Sequence, residues 1–176
     1  MESVPSSSGF GDERSLRLLR RRAERYGRQA AVVAAEEQLE CMLFVRGGER
    51  YVIRLSVLRE VRVLRGFCAI PGARSVVPGV IYYRGEILSL HDLAPFMQAP
   101  ATAEPHWIIV VEHGGQRMGL MVDDIVEVRT FLVSQVRPAP LTLSAHATCV
   151  EGVLADGSIL LRAESLFSNP HFSKGL

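Results

Sequence analysis

The feature that most constrains this chain is a repeat inside it. The stretch GGERYVIRLSVLREV (47–61) aligns without a gap on GGQRMGLMVDDIVEV (114–128). Gly47, Gly48, Arg50, Glu60 and Val61 meet Gly114, Gly115, Arg117, Glu127 and Val128, while Ile53, Leu55 and Leu58 meet Leu120, Val122 and Ile125. Further on, GVIYYRGEIL (79–88) matches GVLADGSIL (152–160) with one residue missing. An internal duplication accounts for all of this. Each half holds only roughly 60 residues, too few to bury an ample core alone. The halves are therefore expected to fuse along a shared hydrophobic seam, with a groove between them for a partner.

The repeated unit is written in short strands and tight turns. CMLFV, Gly47-Gly48 and RYVIRL read as a hairpin, the glycines supplying the positive φ that such turns need. LREV, Pro71, VVPGVIYY, a turn at Arg84-Gly85-Glu86 and ILSL follow. The second half runs WIIVVE, Gly114-Gly115, RMGLMV, IVEV, a proline-rich connection, CVEGVLA, Asp156-Gly157 and SILL. Many short strands at regular spacing imply an all-β sandwich or barrel. Asp123-Asp124, ahead of Ile125, reads as a helix cap, since Ser56 fills the place of Asp123 in the first repeat.

Ahead of the repeats the pattern differs. Residues 1–12 are a small, polar tail. From Glu13 to Gln38 the spacing of Leu16, Leu19, Ala23, Tyr26, Ala30 and Val33 predicts an amphipathic helix. Its other face carries Arg14, Arg17, Arg20, Arg21, Arg22, Arg25 and Arg28. A second tail is expected over 168–176.

Several functions are disfavoured at once. The net charge is +1, so no general attraction to nucleic acid or acidic lipid is expected, and only the arginine segment leaves a nucleic-acid-binding alternative open. Cys41, Cys68 and Cys149 are scattered and odd in number, which suits buried small hydrophobes in a reducing compartment. No His or Cys spacing suggests a metal site. No cofactor loop appears, because neither Gly-Gly pair is followed by Lys-Ser. His91 beside Asp92 has no nucleophile in a recognisable elbow and reads as structural, so no catalytic residue is expected. No secretory signal and no apolar run of ~20 residues is present, so a cytoplasmic protein without membrane insertion is expected.

Four blocks in order then resemble the CheW family of chemotaxis coupling proteins: IPGARSVVPGVIYYRGEILSLHDL (70–93), MGLMVDDIVEV (118–128), QVRPAP (135–140) and EGVLADGSILL (151–161). The resemblance runs from about Cys41 to Phe167. It implies two fused SH3-like five-stranded barrels, 41–97 and 106–167, with strand exchange between them left open. It also implies a non-enzymatic adaptor in a two-component signalling array. The implied partners are the regulatory domain of a CheA-type histidine kinase and the cytoplasmic tip of methyl-accepting receptors.

The same resemblance nominates Leu58, Glu60, Gly79 and Arg84 as partner-binding residues. On residue chemistry alone, Arg84 reads as an ordinary solvated turn residue; the resemblance turns that reading to a binding hot spot, for which its planar fork, able to clamp carboxylates, is suited. Glu60 and Glu127 are equivalent, which also fits a structural role, and Gly79 and Gly152 fit a close backbone approach. Tyr82 stands where many members have Asn, and Tyr83 replaces an aliphatic; both are expected to enlarge the binding surface, with Gly85 completing the turn.

Overall fold

Why the central strands read as unbroken apolar runs becomes clear once both of their faces are followed. On strand β1 (Gln38–Arg46), Leu39, Cys41 and Leu43 join one buried cluster, whereas Met42 and Phe44 join another. On β7 (Trp107–His113), Ile108 and Val110 enter a third cluster, while Ile109 and Val111 share the cluster of Met42 and Phe44. A strand buried on both faces needs no polar alternation. The computed structural model describes residues 37–100, 103–141, 143 and 148–173. The predicted tail 1–12 and almost all of the predicted helix 13–38 lie outside these; its last residue, Gln38, instead begins β1.

The remaining strands are β2 (Glu49–Arg54), β3 (Leu58–Val63), β4 (Cys68–Ala69), β5 (Gly79–Tyr83), β6 (Glu86–Asp92), β8 (Gln116–Val122), β9 (Asp124–Leu132), β10 (Val150–Val153) and β11 (Ile159–Leu161). They form two sheets, ordered β10-β11-β2-β1-β9 and β3-β7-β8-β6-β5-β4. These are the two fused SH3-like barrels of the fold. Neither is built from one contiguous half. The hairpin β1–β2 of the first half completes the sheet of β9, β10 and β11, and the hairpin β7–β8 of the second completes the sheet of β3 to β6. The strand exchange left open between 41–97 and 106–167 takes the form of an exchange of hairpins.

The exchange preserves the repeat in detail. Leu58 pairs with Val111 and Glu60 with Val110 across a bulge, as Ile125 pairs with Phe44 and Glu127 with Leu43. Parallel contacts match too, Leu160 beside Val52 as Leu90 is beside Gly119. Both hairpin turns hold successive glycines at positive φ, 63° and 78° at Gly47-Gly48 and 58° and 79° at Gly114-Gly115. The second alignment block needs a shift. Gly79 pairs with Leu90 and Gly152 with Leu160, so Leu160 answers to Leu90 rather than Leu88, and the second hairpin is shorter by more than one residue.

Each barrel has a small core of its own, and a larger one lies between them. Leu39, Cys41, Leu43, Val52, Phe131, Leu154 and Leu160 fill one barrel; Tyr83, Leu88, Leu90, Ile108, Val110 and Met121 fill the other. Between them Phe44 stacks on Tyr51 at 5.6 Å amid Ile53, Ile109, Leu120 and Leu161. That is the seam that two undersized halves require.

The C-terminal end adds to this seam. After the helix Ala163–Ser168, residues Pro170–Ser173 form another helical turn instead of the expected tail. Phe172 is buried, 4.7 Å edge-on to Phe96 and stacked 5.4 Å from His91. An aromatic anchor binds this end of the chain to the core.

Asp123 does not cap a helix. It bonds instead to Arg46, a buried guanidinium at the junction of the two sheets. Arg46 Nε and Nη2 donate to the two carboxylate oxygens of Asp92 at 2.7 and 2.5 Å, and Nη1 donates to Asp123 Oδ1 at 2.5 Å. Asp123 Oδ2 accepts from the Gly47 amide at 2.7 Å, and Asp92 caps the helix Leu93–Met97 through Ala94. The two carboxylates share one buried guanidinium and raise the Arg46 pKa, the Asp92 bonds contributing most. The chemistry of Arg46, Asp92 and Asp123 is spent on holding the two sheets together.

His91, expected from its context to be structural, sits inside the core and stacks on Phe172. It is buried, its Nε2 lies 2.8 Å from Ser89 Oγ, and burial pushes its pKa down to about 4. Cys41 and Cys149 are buried as expected, and burial pushes the Cys41 thiol up to about 11. Cys68 departs from that reading: it is exposed, because β4 is a two-residue edge strand with no neighbour beyond it among the described residues. Among the described residues no helix is long and apolar enough to cross a membrane, and no group of three His, Cys, Asp or Glu is placed to hold a metal ion.

Candidate partner-binding surface

Most of the nominated residues converge on the tip of the β5–β6 hairpin. Glu60 projects from β3, beyond the single 3-10 turn Leu55–Val57 that follows β2. Its Oε2 accepts from Tyr83 Oη at 2.9 Å and from Arg84 Nη2 at 2.8 Å, and Arg62 lies 3.6 Å from the other oxygen. Arg62 and Arg84 also stand over the Tyr83 ring, 5.5 and 5.4 Å from its centroid. The Tyr83 hydroxyl first, and then the two guanidiniums, hold the Glu60 carboxyl below its ordinary range. Burial and the nearby carboxylate raise the Tyr83 phenol. Since β3 and β5 stand at different places in the sheet, this cluster ties the sheet round into a barrel.

Arg84 occupies a conformation few arginines adopt. It and Gly85 form a two-residue turn between Tyr83 and Glu86, with φ of 49° at Arg84 and 94° at Gly85. A left-handed residue with a side chain costs on the order of 1 kcal/mol, which Asn or Gly at this turn position would reduce. The Arg84 side chain is still 70% exposed, so its fork stays open to a partner although one nitrogen reaches Glu60.

The two tyrosines divide, as alternation along a strand requires. Tyr82 points outward, 77% exposed, beside its cross-strand neighbour Ile87 at 72%. Tyr83 points inward at 3% exposure, so its expected contribution to the surface is corrected: its ring packs in the barrel and only its hydroxyl serves the tip, at Glu60. Leu58 is half-buried against the seam. Gly79 is buried, and a Cβ there would stand 2.3 Å from the Cys68 carbonyl oxygen and 2.4 Å from the Phe67 ring. Gly152 is equally confined, 2.4 Å from the Arg137 carbonyl oxygen. Both glycines permit close backbone approach.

Beside the tip runs a ladder of charges that the sequence did not single out. Arg117 Nε donates to Glu112 at 2.6 Å and its Nη1 to Glu86 at 3.4 Å, while Arg59 reaches Glu112 from β3 at 3.4 Å. The bonds to Arg117 and Arg59 hold Glu112 below its usual range. Glu112 and Arg117 face each other across the Gly114-Gly115 hairpin, a register visible in the sequence once the turn is placed. Arg59 and Glu86 come from other strands, and no local pattern joins them.

The exchanged double barrel displays an exposed arginine and a pair of apolar side chains, Tyr82 and Ile87, at one hairpin. The model of the CheW-like domain matches residues 40–170, and the chain belongs to that family. The chain is 28% identical over 127 residues to the chemotaxis protein CheW of Klebsiella aerogenes, covering 69% of this chain and 76% of the relative. It is 29% identical over 136 residues to a probable chemotaxis protein CheW of Rhizobium etli, covering 73% and 87%. The crystal structure of the scaffolding protein TtCheW from Thermoanaerobacter tengcongensis superposes with a TM-score of 0.64 at 25% identity, covering 72% of this chain and 90% of that one. The protein is a chemotaxis adaptor of scaffold type.

Proposed function

We propose that the chain couples a CheA-type histidine kinase to chemoreceptors, binding the kinase regulatory domain and the cytoplasmic tip of methyl-accepting receptors. It does so in the cytoplasm, at receptor arrays, by contact and not by catalysis. The observation that carries this reading is the β5–β6 tip. A strained, exposed Arg84 is held in one direction by Glu60 and flanked by Tyr82 and Ile87. Arginine and tyrosine are the residue types in which binding energy concentrates, and preorganisation reduces the entropy lost on docking. Leu58, Glu60, Gly79, Tyr83 and Gly85 support the tip: Glu60 and Tyr83 by hydrogen bonds, the glycines through the backbone and Leu58 by packing.

The test is calorimetry of the full chain against the purified kinase regulatory domain and, separately, against the receptor signalling domain. Saturable binding to both is expected, with the Arg84→Glu variant at least 30-fold weaker towards one of them. Absence of binding to either protein would overturn the proposal. Strongly salt-dependent retention on DNA in place of both would favour the nucleic-acid alternative opened by the arginines of residues 14–28.

A further inference from the structure

Next to the tip, the barrel of β3 to β8 opens into a groove of about 530 Å³ between β3, β5 and the segment leading to β4. Its walls include Val63, Phe67 and Tyr82, which are 51%, 40% and 77% exposed. Arg62 and Arg65 line it as well, and among the described residues no carboxylate does. Arg62 shares the Glu60 carboxylate with Arg84, so one negative charge faces two positive ones. Arg65 has no ion pair among the described residues. The groove is therefore apolar inside and positive at its rim.

Its shape depends on Gly79. Because Gly79 has no side chain, the Phe67 ring can pack over it and wall the groove: a Cβ there would stand 2.4 Å from the ring. On the other barrel, the related recess at Arg129, Phe131 and Leu154 is about 240 Å³ and includes Asp156, so neither the size nor the uniform sign is a property of the repeat. The tyrosine at position 82 and the pair Arg62 and Arg65 give this groove its character.

We infer that this groove receives an acidic, amphipathic segment of a partner protein, an aromatic or aliphatic anchor seated between Phe67, Val63 and Tyr82 and adjacent carboxylates on Arg62 and Arg65. The occupant follows from charge complementarity: a basic segment would meet Arg65 without an ion-pair partner and Arg62 sharing one carboxylate with Arg84, and an uncharged one would leave Arg65 unpaired. An apolar pocket with a few placed charges fixes both the anchor and the direction of a bound segment. The inference rests on the reading of the adjoining tip as a partner-binding face and adds the chemistry of what lies across it.

Panning a display library of random twelve-residue peptides against the full chain, then measuring anisotropy of the recovered peptides, tests this. Recovered sequences should combine Phe, Trp, Leu or Ile with neighbouring Asp or Glu. Affinity should fall at least tenfold for Arg65→Glu, an exposed unpaired site whose reversal leaves the fold intact, and similarly for Phe67→Ser. Peptides without carboxylates, or peptides binding Arg65→Glu as tightly as the parent, would overturn the inference. So would binding lost only in Arg84→Glu, since that places the peptide on the tip. Failure of the kinase and receptor to bind, with acidic peptides still lost in Arg65→Glu, would remove the proposed function and leave the groove assignment standing.

Discussion

Glu60 and Glu127 stand at the same station of the two sheets, each just past a bulge, yet only Glu60 accepts hydrogen bonds from a hairpin tip. Glu127 is bonded to Arg129 two residues on, the counterpart of Arg62 beside Glu60. The difference lies in the facing hairpins. Tyr83 and Arg84 reach back to β3, while the shorter second hairpin turns at Asp156-Gly157 and offers no such donor. A structural glutamate–arginine pair common to both barrels thus became, on one side only, the support of an exposed arginine.

From this follows a contrast between two substitutions at position 84. Arg84→Gly should leave thermal stability unchanged or raise it slightly, because release of the left-handed arginine offsets the lost contact with Glu60. Arg84→Glu should lower it modestly by placing like charges together. Both should weaken partner binding. Thermal melts and calorimetry check this, and a large loss of stability in Arg84→Gly would show that the tip belongs to the core.

Gly79→Ala should cost roughly 1–3 kcal/mol, since the new methyl meets a backbone carbonyl that cannot yield without moving β4. Gly152→Ala should behave alike for the matching reason. Urea titrations read both effects. A neutral Gly79→Ala would contradict the close approach.

Removal of Arg46 is expected to be the more damaging change. Arg46→Met leaves Asp92 and Asp123 facing each other with little solvent, at a cost of about 3–5 kcal/mol. Adding Asp123→Ser, which restores the residue of the matching position Ser56, should recover part of it. An additive double variant would argue against coupling across the sheet junction.

The buried His91 gives stability a pH dependence of known sign. Its pKa is lowered from an unfolded value of ~6.5 to about 4, so the unfolded chain binds the proton first as pH falls. Stability present above pH ~6.5 is therefore lost progressively towards pH ~4, by ~2 kcal/mol between pH ~7 and ~5. Urea midpoints of the parent and of His91→Leu at the two values check this: the variant should lose less on acidification.

How much of this was legible beforehand depended on whether a signal was local. The hairpins were, since Gly47-Gly48 and Gly114-Gly115 mark them and matched residues keep matched pairings. The exchange of hairpins was not, because a strand's hydrophobic pattern does not say which half supplies its neighbour. Asp123 reads as a cap from sequence because its partner Arg46 lies far back in the chain, where the repeat offers His113 instead. Phe172 stands alone among polar residues, so nothing in its neighbourhood announced a packed helix. At the tip, Tyr82 and Tyr83 were both legible as unusual, and strand alternation, which decides which of them faces out, needed the register.

The central claim is coupling, and it is tested most directly by sedimenting receptor-bearing membranes with the purified kinase. With the full chain present, the kinase should pellet with the membranes in proportion to added adaptor; with Arg84→Glu, folded by its melting curve, it should stay largely in the supernatant. Kinase that pellets equally without the adaptor, or equally with the variant, would contradict the account.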